Sequence, residues 1–113
     1  RARGRALRAR GVQVVEVPSV RGRLSLLAVL RTLGALDIQS LLVEGGAAVH
    51  GAFIDEGFVE AVALFLAPRL LGAGVPIAAG RGRGLLRGLA LEDVRATPVG
   101  PDILVTAQAI SKG

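Results

Sequence analysis

A run of apolar residues that ends in a carboxylate and two glycines constrains the fold of this chain more than any other feature. Residues 41–43 are apolar, Glu44 follows, and Gly45 and Gly46 precede a segment with the character of a helix start. Glycine has no Cβ, so an anion can approach the backbone N–H groups of such a turn, and the dipole of the following helix favours negative charge. The pattern therefore predicts a strand, a tight turn and a helix, with a phosphate or nucleotide site at the turn.

Length and composition narrow the class of protein. A chain of 113 residues, 51% of them hydrophobic, is long enough for one domain with its own core. No apolar run reaches the roughly 20 residues that span a bilayer, and no signal-peptide pattern is present, so we expect a cytoplasmic protein without a membrane partner. With no cysteine and a single histidine, the chain is not expected to hold a disulfide or a metal site. It begins at Arg1 without an initiator Met, which suggests a piece of something longer.

The positive charge is concentrated at the start of the chain. The net charge is +5, Lys112 is the one lysine, and seven arginines fall within the first 23 residues. Such an arm either binds a polyanion or forms a solvated helix end whose field steers a phosphorylated small molecule. The chain has only three aromatic residues, all in apolar segments, and therefore no stacking platform for bases. The solvated helix end is the favoured interpretation.

The periodicity of the apolar residues predicts an α/β fold. The predicted helices cover residues 1–10, with Gly11 as the stop, 24–36, and the segment from the glycine pair to Gly57. The predicted strands are 12–17, 38–43 covered on both faces, 58–67 as a central strand, and a C-terminal hairpin of 91–98 and 102–110 around the turn at 99–101. A further turn is predicted at 19–23. This order gives a mixed sheet flanked by helices, in a single domain over residues 1–113.

Glu44 is the best candidate for a functional side chain. It follows a predicted buried strand, and open α/β sheets bind ligands beyond the carboxyl ends of their strands. The structural alternative is a carboxylate that accepts N–H bonds from the turn after it. His50 is expected to be a surface residue rather than a base, and Asp55 and Glu56 are expected at the surface because they lie at the negative end of the helix.

Two further features leave alternatives open. Arg69, at the end of the predicted central strand, is either a surface residue or a partner for an anionic group. The glycine-rich loop over residues 72–84, with Arg81 and Arg83, is favoured as a flexible linkage, the alternative being a lid that closes over a phosphate. No nucleophile elbow or glycosidase-like carboxylate pair is present, so hydrolysis is not expected and the catalytic residue is unknown.

Several segments together resemble a known family. The run from Ser40 to Gly46, the helix ending at Gly57, Val59-Glu60, the run from Leu64 to Gly72 and the closing residues 99–104 are similar to the reductase domain of bacterial riboflavin-biosynthesis bifunctional deaminase/reductases. The resemblance extends over about residues 12–107. It implies a dihydrofolate-reductase-like fold, a three-layer mixed sheet with flanking helices and a C-terminal β-hairpin. It also implies a partial reductase domain that lacks its N-terminal strands.

The resemblance also implies an activity. The family is expected to use NADPH to reduce the ribosyl group of 5-amino-6-(5-phosphoribosylamino)uracil to a ribityl chain, by hydride transfer to the C1 carbon of the sugar. The implied partners are this phosphorylated pyrimidine and a second copy of the chain in a homodimer. The substrate-binding role is carried over to Glu44. The cofactor-binding residues carried over are Gly46, Ala47, Ala48, Val49, His50, Gly51 and Ala52.

The chain departs from the family pattern at two places. Many relatives have a hydroxyl residue just after the glycines, whereas Ala47 and Ala48 leave only backbone donors for a phosphate. Relatives usually have an Asp-Glu pair where this chain has Glu60 and Ala61. We expect the first departure to weaken cofactor binding and the second to alter structure more than catalysis.

Two other functions stay open at this stage. One is a related reductase of the same fold that acts on a pterin or another pyrimidine precursor. The absence of an evident catalytic base does not oppose either reductase, because the cofactor carries the chemistry of hydride transfer. The other is a non-catalytic basic module that binds nucleic acid, which steeply salt-dependent binding to DNA or RNA would favour.

Overall fold

The computed structural model describes residues 2–82 and 88–110. The chain divides into two compact units, Arg1–Leu42 and Val43–Gly113. Whether the two units fold as the single domain expected from the sequence stays a prediction. None of the helices in these ranges is long and apolar enough to cross a membrane.

The first unit begins with a short basic helix. Helix α1 covers Ala2–Arg8, and Gly11 follows it with a left-handed φ of 78°, as the sequence predicted. The strand predicted over residues 12–17 is wrong, since no ladder hydrogen bonds join it to any described strand. Instead, Arg8 Nη2 donates to the Val14 carbonyl oxygen at 3.2 Å and pairs with Glu16 at 3.4 Å. Alternation of apolar residues forms a strand only where a neighbouring strand satisfies its backbone groups.

A small hairpin and a helix complete the first unit. Strands β1, Ser19–Val20, and β2, Arg23–Leu24, pair antiparallel around Arg21 and Gly22, which confirms the predicted turn. Both turn residues have positive φ, the geometry that matches the twist of a two-residue hairpin. Helix α2 then covers Leu26–Ala35, where a helix was predicted. The Ser25 hydroxyl caps α2 by accepting the Ala28 N–H at 3.2 Å.

The described residues of the second unit form one helix and a three-stranded sheet. Helix α3 covers Ala47–Glu56 and ends at Gly57, which has a left-handed φ of 76°, as predicted. The strands are β3, Ala61–Leu66, β4, Leu91–Val99, and β5, Asp102–Ala109. They pair antiparallel in the order β3-β5-β4. Strands β4 and β5 form the predicted C-terminal hairpin, and the α/β character of the chain is confirmed.

Two strand predictions need correction. Strand β3 was predicted to be central, but it lies at an edge of the sheet, and β5 lies in the middle. The burial agrees with this order, because Ala107 on β5 is 5% exposed whereas Phe65 on β3 is 59% exposed. Residues 38–43 were predicted as a strand covered on both faces, yet they pair with no described strand, and Leu42 is 78% exposed. An apolar run shows that a segment is suited to burial but does not reveal which strands lie beside it.

Candidate functional site

The N-terminus of α3 has free backbone donors. Gly46 is the cap residue, with φ −63° and ψ 179°, and it has no side chain with which to cap the helix. Its carbonyl oxygen accepts the N–H groups of Val49 at 3.0 Å and His50 at 3.2 Å. In the described parts of the chain, the N–H groups of Ala47 and Ala48 have no acceptor. Such uncapped donors at the positive end of a helix dipole are suited to an anion.

The two glycines of the turn have different roles. A Cβ on Gly45 would lie 3.1 Å from the Cβ of Val49, so this position is bare because the Val49 side chain occupies the space. A Cβ on Gly46 would meet nothing within 4 Å. The sequence suggested that both glycines leave room for a ligand. The structure assigns that room to Gly46 alone and gives Gly45 a packing role.

Glu44 lies immediately before this turn and is exposed. If Glu44 had only a structural role, its carboxylate would accept hydrogen bonds from the N–H groups of the residues that follow it. No hydrogen bond to this carboxylate is formed by any residue within 2–82 or 88–110. The side chain is therefore free to contact a ligand at the same turn that exposes the Ala47 and Ala48 donors.

His50 is not the free surface residue that the sequence predicted. Its ring is half-buried between two backbone carbonyl groups. Nδ1 lies 2.7 Å from the Ile77 oxygen, and Nε2 lies 3.2 Å from the Val43 oxygen. Both ring nitrogens thus face the protein backbone, and the expectation that His50 is not a base stays a prediction. The fold brings this residue to the carbonyl just before Glu44, a contact that helical periodicity does not reveal.

A segment of the glycine-rich loop lies along α3. We call residues 77–81 the strap. The Ala79 N–H donates to the Ala47 carbonyl oxygen at 2.8 Å. Gly51 is buried beneath the strap, and a Cβ there would lie 2.4 Å from both the Ala79 carbonyl carbon and the Gly80 nitrogen. The strap therefore requires glycine at this position of the helix.

Asp55 holds the far end of the strap. Its Oδ2 accepts the Arg81 N–H at 2.8 Å and lies 3.6 Å from Arg81 Nε. The Asp55 side chain is only 12% exposed, so the prediction of a surface residue is wrong, whereas Glu56 is exposed as expected. The Arg81 side chain is 81% exposed, so solvent weakens the ion pair and the backbone N–H bond is the stronger anchor.

The contacts of the strap bear on whether the glycine-rich loop over residues 72–84 is a flexible linkage. The strap residues are bound to α3 by hydrogen bonds, so this stretch is not a loose linkage. Closure over a phosphate stays an untested alternative, and Arg83 lies outside the described residues. The sequence pattern did not reveal the strap, but it contained one signal. Glycine inside a helix is about 1 kcal/mol less favourable than alanine, so Gly51 indicated a close approach of another backbone.

The remaining candidates are less informative. Arg69 is exposed and forms no ion pair within the described ranges, so both interpretations, a surface residue and a partner for an anionic group, stay untested. Ala52 is half-buried on α3. No group of three or more His, Cys, Asp or Glu side chains that could hold a metal ion occurs in the part of the chain that the structure describes.

The chain is similar to proteins of known family. A family model, RibD C-terminal domain, matches residues 3–105. The riboflavin biosynthesis protein RibD of Bacillus amyloliquefaciens is 33% identical over 104 residues, which are 89% of this chain and 28% of that protein. RibD of Escherichia coli (strain K12) is 31% identical over 101 residues, 81% of this chain and 26% of the relative. RibD of Aquifex aeolicus (strain VF5) is 29% identical over 99 residues, which are 88% of this chain and 27% of that protein. The chain thus spans about a quarter of the length of these relatives.

Proposed function

We propose that this chain contributes to an NADPH-dependent reductase of riboflavin biosynthesis, because it belongs to the RibD C-terminal domain family. The family has the dihydrofolate-reductase-like α/β fold that the sequence resemblance implied. The proposed substrate is 5-amino-6-(5-phosphoribosylamino)uracil, whose ribosyl group is reduced to a ribityl chain. We place the protein in the cytoplasm, in agreement with the small, phosphorylated nature of its substrate and cofactor.

The start of α3 fits the phosphates of the cofactor. Gly46 leaves open space at the turn, and the N–H groups of the adjacent Ala47 and Ala48 have no acceptor among the described residues. These donors and the helix dipole would bind phosphate oxygens without any side-chain hydroxyl. When bound, NADPH supplies the hydride. The remaining cofactor positions carried over from the family are Val49, His50, Gly51 and Ala52. Of these, Gly51 contributes indirectly, because its bare Cα accepts the strap.

Glu44 is proposed to bind the substrate. Its exposed carboxylate adjoins the phosphate-binding turn and has no hydrogen-bond donor among the described residues. A carboxylate accepts hydrogen bonds from hydroxyl or N–H groups, both of which the proposed substrate carries. The pairing of free amides with a free acid at one turn is the observation that supports the reductase proposal. A nucleic-acid partner has no comparable support.

We also propose that the protein forms a homodimer. Strand β3 is a sheet edge on which Phe65 and Leu66 are exposed, and an apolar edge tends to associate. Light scattering combined with size-exclusion chromatography measures the mass directly. A monomer at micromolar concentration would contradict this part of the proposal.

The substrate role of Glu44 can be tested with Glu44→Gln in the intact protein. Loss of a charge-assisted hydrogen bond weakens binding by roughly 1.5–3 kcal/mol, which is about a tenfold to hundredfold change. We expect kcat/KM for the pyrimidine to fall by that factor while the Kd for NADPH changes by less than about twofold. Glu92→Gln on β4, where the carboxylate is also exposed, is the matched control and should behave as wild type. Equal loss of turnover and NADPH affinity would remove Glu44 from the substrate role.

A further inference from the structure

We propose that the side chain of His50 is a positioning residue that fixes the direction of Glu44, with the strap as its anchor. This inference rests on the proposed substrate role of Glu44. It assigns to the imidazole ring a task separate from any contact that the backbone of His50 makes with the cofactor.

The ring connects two segments that are distant in sequence. Nε2 lies 3.2 Å from the carbonyl oxygen of Val43, and Nδ1 lies 2.7 Å from that of Ile77. Carbonyl oxygens only accept hydrogen bonds, so the ring bonds to both of them when each of its nitrogens carries a proton. The shorter distance is on the strap side, so the ring is held more closely there and reaches from the strap toward Val43.

The strap is a suitable anchor because other contacts hold it. Ala79 donates to the Ala47 carbonyl oxygen at 2.8 Å, and Arg81 donates to Asp55 Oδ2 at 2.8 Å. These bonds involve α3 on both sides of Gly51, where the strap backbone comes so close that no Cβ fits. The Ile77 carbonyl oxygen, just before these contacts, is therefore a fixed point for Nδ1.

The contact with Val43 acts directly on Glu44. The carbonyl group of Val43 and the N–H group of Glu44 belong to one planar peptide unit. Holding the carbonyl oxygen fixes the rotation of that plane and so restricts the direction in which the Glu44 side chain leaves the backbone. The preceding residues 38–42 form no ladder with any strand in the described ranges, and no other described group donates to the Val43 oxygen. His50 is thus the contact that orients this peptide.

Two amide substitutions separate the two ends of the ring. The amide nitrogen of asparagine lies near the position of Nδ1, and that of glutamine near the position of Nε2. His50→Gln should keep the bond to Val43, and His50→Asn should keep the bond to the strap instead. In the intact protein we expect His50→Asn to lower kcat/KM for the pyrimidine by about three- to tenfold, as the loss of one hydrogen bond predicts. We expect His50→Gln to retain a kcat/KM at least about threefold higher than that of His50→Asn, because it keeps the bond to Val43.

The Kd for NADPH and the melting temperature are measured for both variants. A positioning role predicts that neither quantity separates Asn from Gln, so the difference between them lies only in pyrimidine kinetics. Equal kinetic losses in the two variants, or a difference that follows the melting temperature or NADPH affinity, would overturn the inference.

A double-mutant cycle links His50 to Glu44. If the ring acts through Glu44, adding His50→Asn to Glu44→Gln should cause less than about a twofold further loss of kcat/KM. Additive losses overturn the positioning role but leave the proposed function in place. If Glu44→Gln alone leaves pyrimidine kinetics unchanged, the substrate role of Glu44 fails, and the inference about His50 fails with it.

Discussion

Replacing Gly51 by alanine tests the strap most severely. The new Cβ would lie 2.4 Å from two backbone atoms, the Ala79 carbonyl carbon and the Gly80 nitrogen, and 2.6 Å from the Ala79 oxygen. Ordinary van der Waals contact with a Cβ begins at 3.4 Å, so the backbone of the strap must retreat by about 1 Å. Because the atoms are backbone rather than the end of a flexible side chain, the strap moves as a unit.

The expected cost follows from the contacts that this retreat breaks. The bonds of Ala79 to Ala47, of Arg81 to Asp55 and of His50 to Ile77 all depend on the position of the strap. Each hydrogen bond contributes about 1 kcal/mol net to the free energy of unfolding, and the higher helix propensity of alanine offsets about 1 kcal/mol of the loss. We therefore expect Gly51→Ala to lower the free energy of unfolding by roughly 1–2 kcal/mol.

The assay is urea unfolding of the intact protein followed by circular dichroism. Gly34→Ala in α2 is the matched control, because a Cβ on Gly34 would meet nothing within 4 Å. There only the gain in helix propensity applies, and the variant should be more stable by up to about 1 kcal/mol. If Gly51→Ala were stabilised as much as Gly34→Ala, the reasoning about the strap would be refuted.

Two further predictions concern single hydrogen bonds. Ser25→Ala removes the hydroxyl that caps α2 and should destabilise the protein by about 1 kcal/mol in the same urea assay, with Ser25→Thr close to wild type. No loss of stability would mean that the cap is unimportant in solution. Asp55→Ala removes the acceptor for the Arg81 N–H, so hydrogen exchange at Arg81 should accelerate by about fivefold, whereas Glu56→Ala should leave it unchanged. Unchanged exchange in Asp55→Ala would show that this bond does not hold the strap.

The helices were predictable because their signals are local. The leucine period of α2 and the Gly57 stop of α3 are both readable from neighbouring residues, although the predicted start at residue 24 missed the Ser25 cap. The hairpin of β4 and β5 was equally readable, since both strands flank the turn at Gly100 and Pro101. In each case the interacting residues are close in sequence.

The strands before the glycine turn could not be settled in this way. The patterns at residues 12–17 and 38–43 are typical of strands, but pairing depends on distant segments that the pattern does not identify. The position of β3 was mispredicted for the same reason, because its long apolar run suggested a central strand. Its edge position follows from the pairing of β5 with both other strands.

In the candidate site, too, the features set by neighbouring residues were predictable and those set by distant residues were not. The free amides of Ala47 and Ala48 and the open space at Gly46 follow from the local turn, and they were predictable. The tasks of His50 and Asp55 were not, because both side chains contact the strap from more than 20 residues away. The sequence therefore located the turn correctly but not the contacts that hold it.

The central claim is that the open backbone at Gly46 binds the phosphates of NADPH, and calorimetric titration of Gly46→Val with NADPH tests it most directly. The extended backbone at this cap accepts a branched residue, so the new side chain should fill the ligand space without unfolding the protein. The control is Gly74→Val, the same change at a loop position that is also open. We predict that Gly46→Val raises the Kd by about tenfold or more, the equivalent of about 1.4 kcal/mol, and that Gly74→Val leaves it within about twofold of wild type. Unchanged NADPH affinity in Gly46→Val would contradict the account.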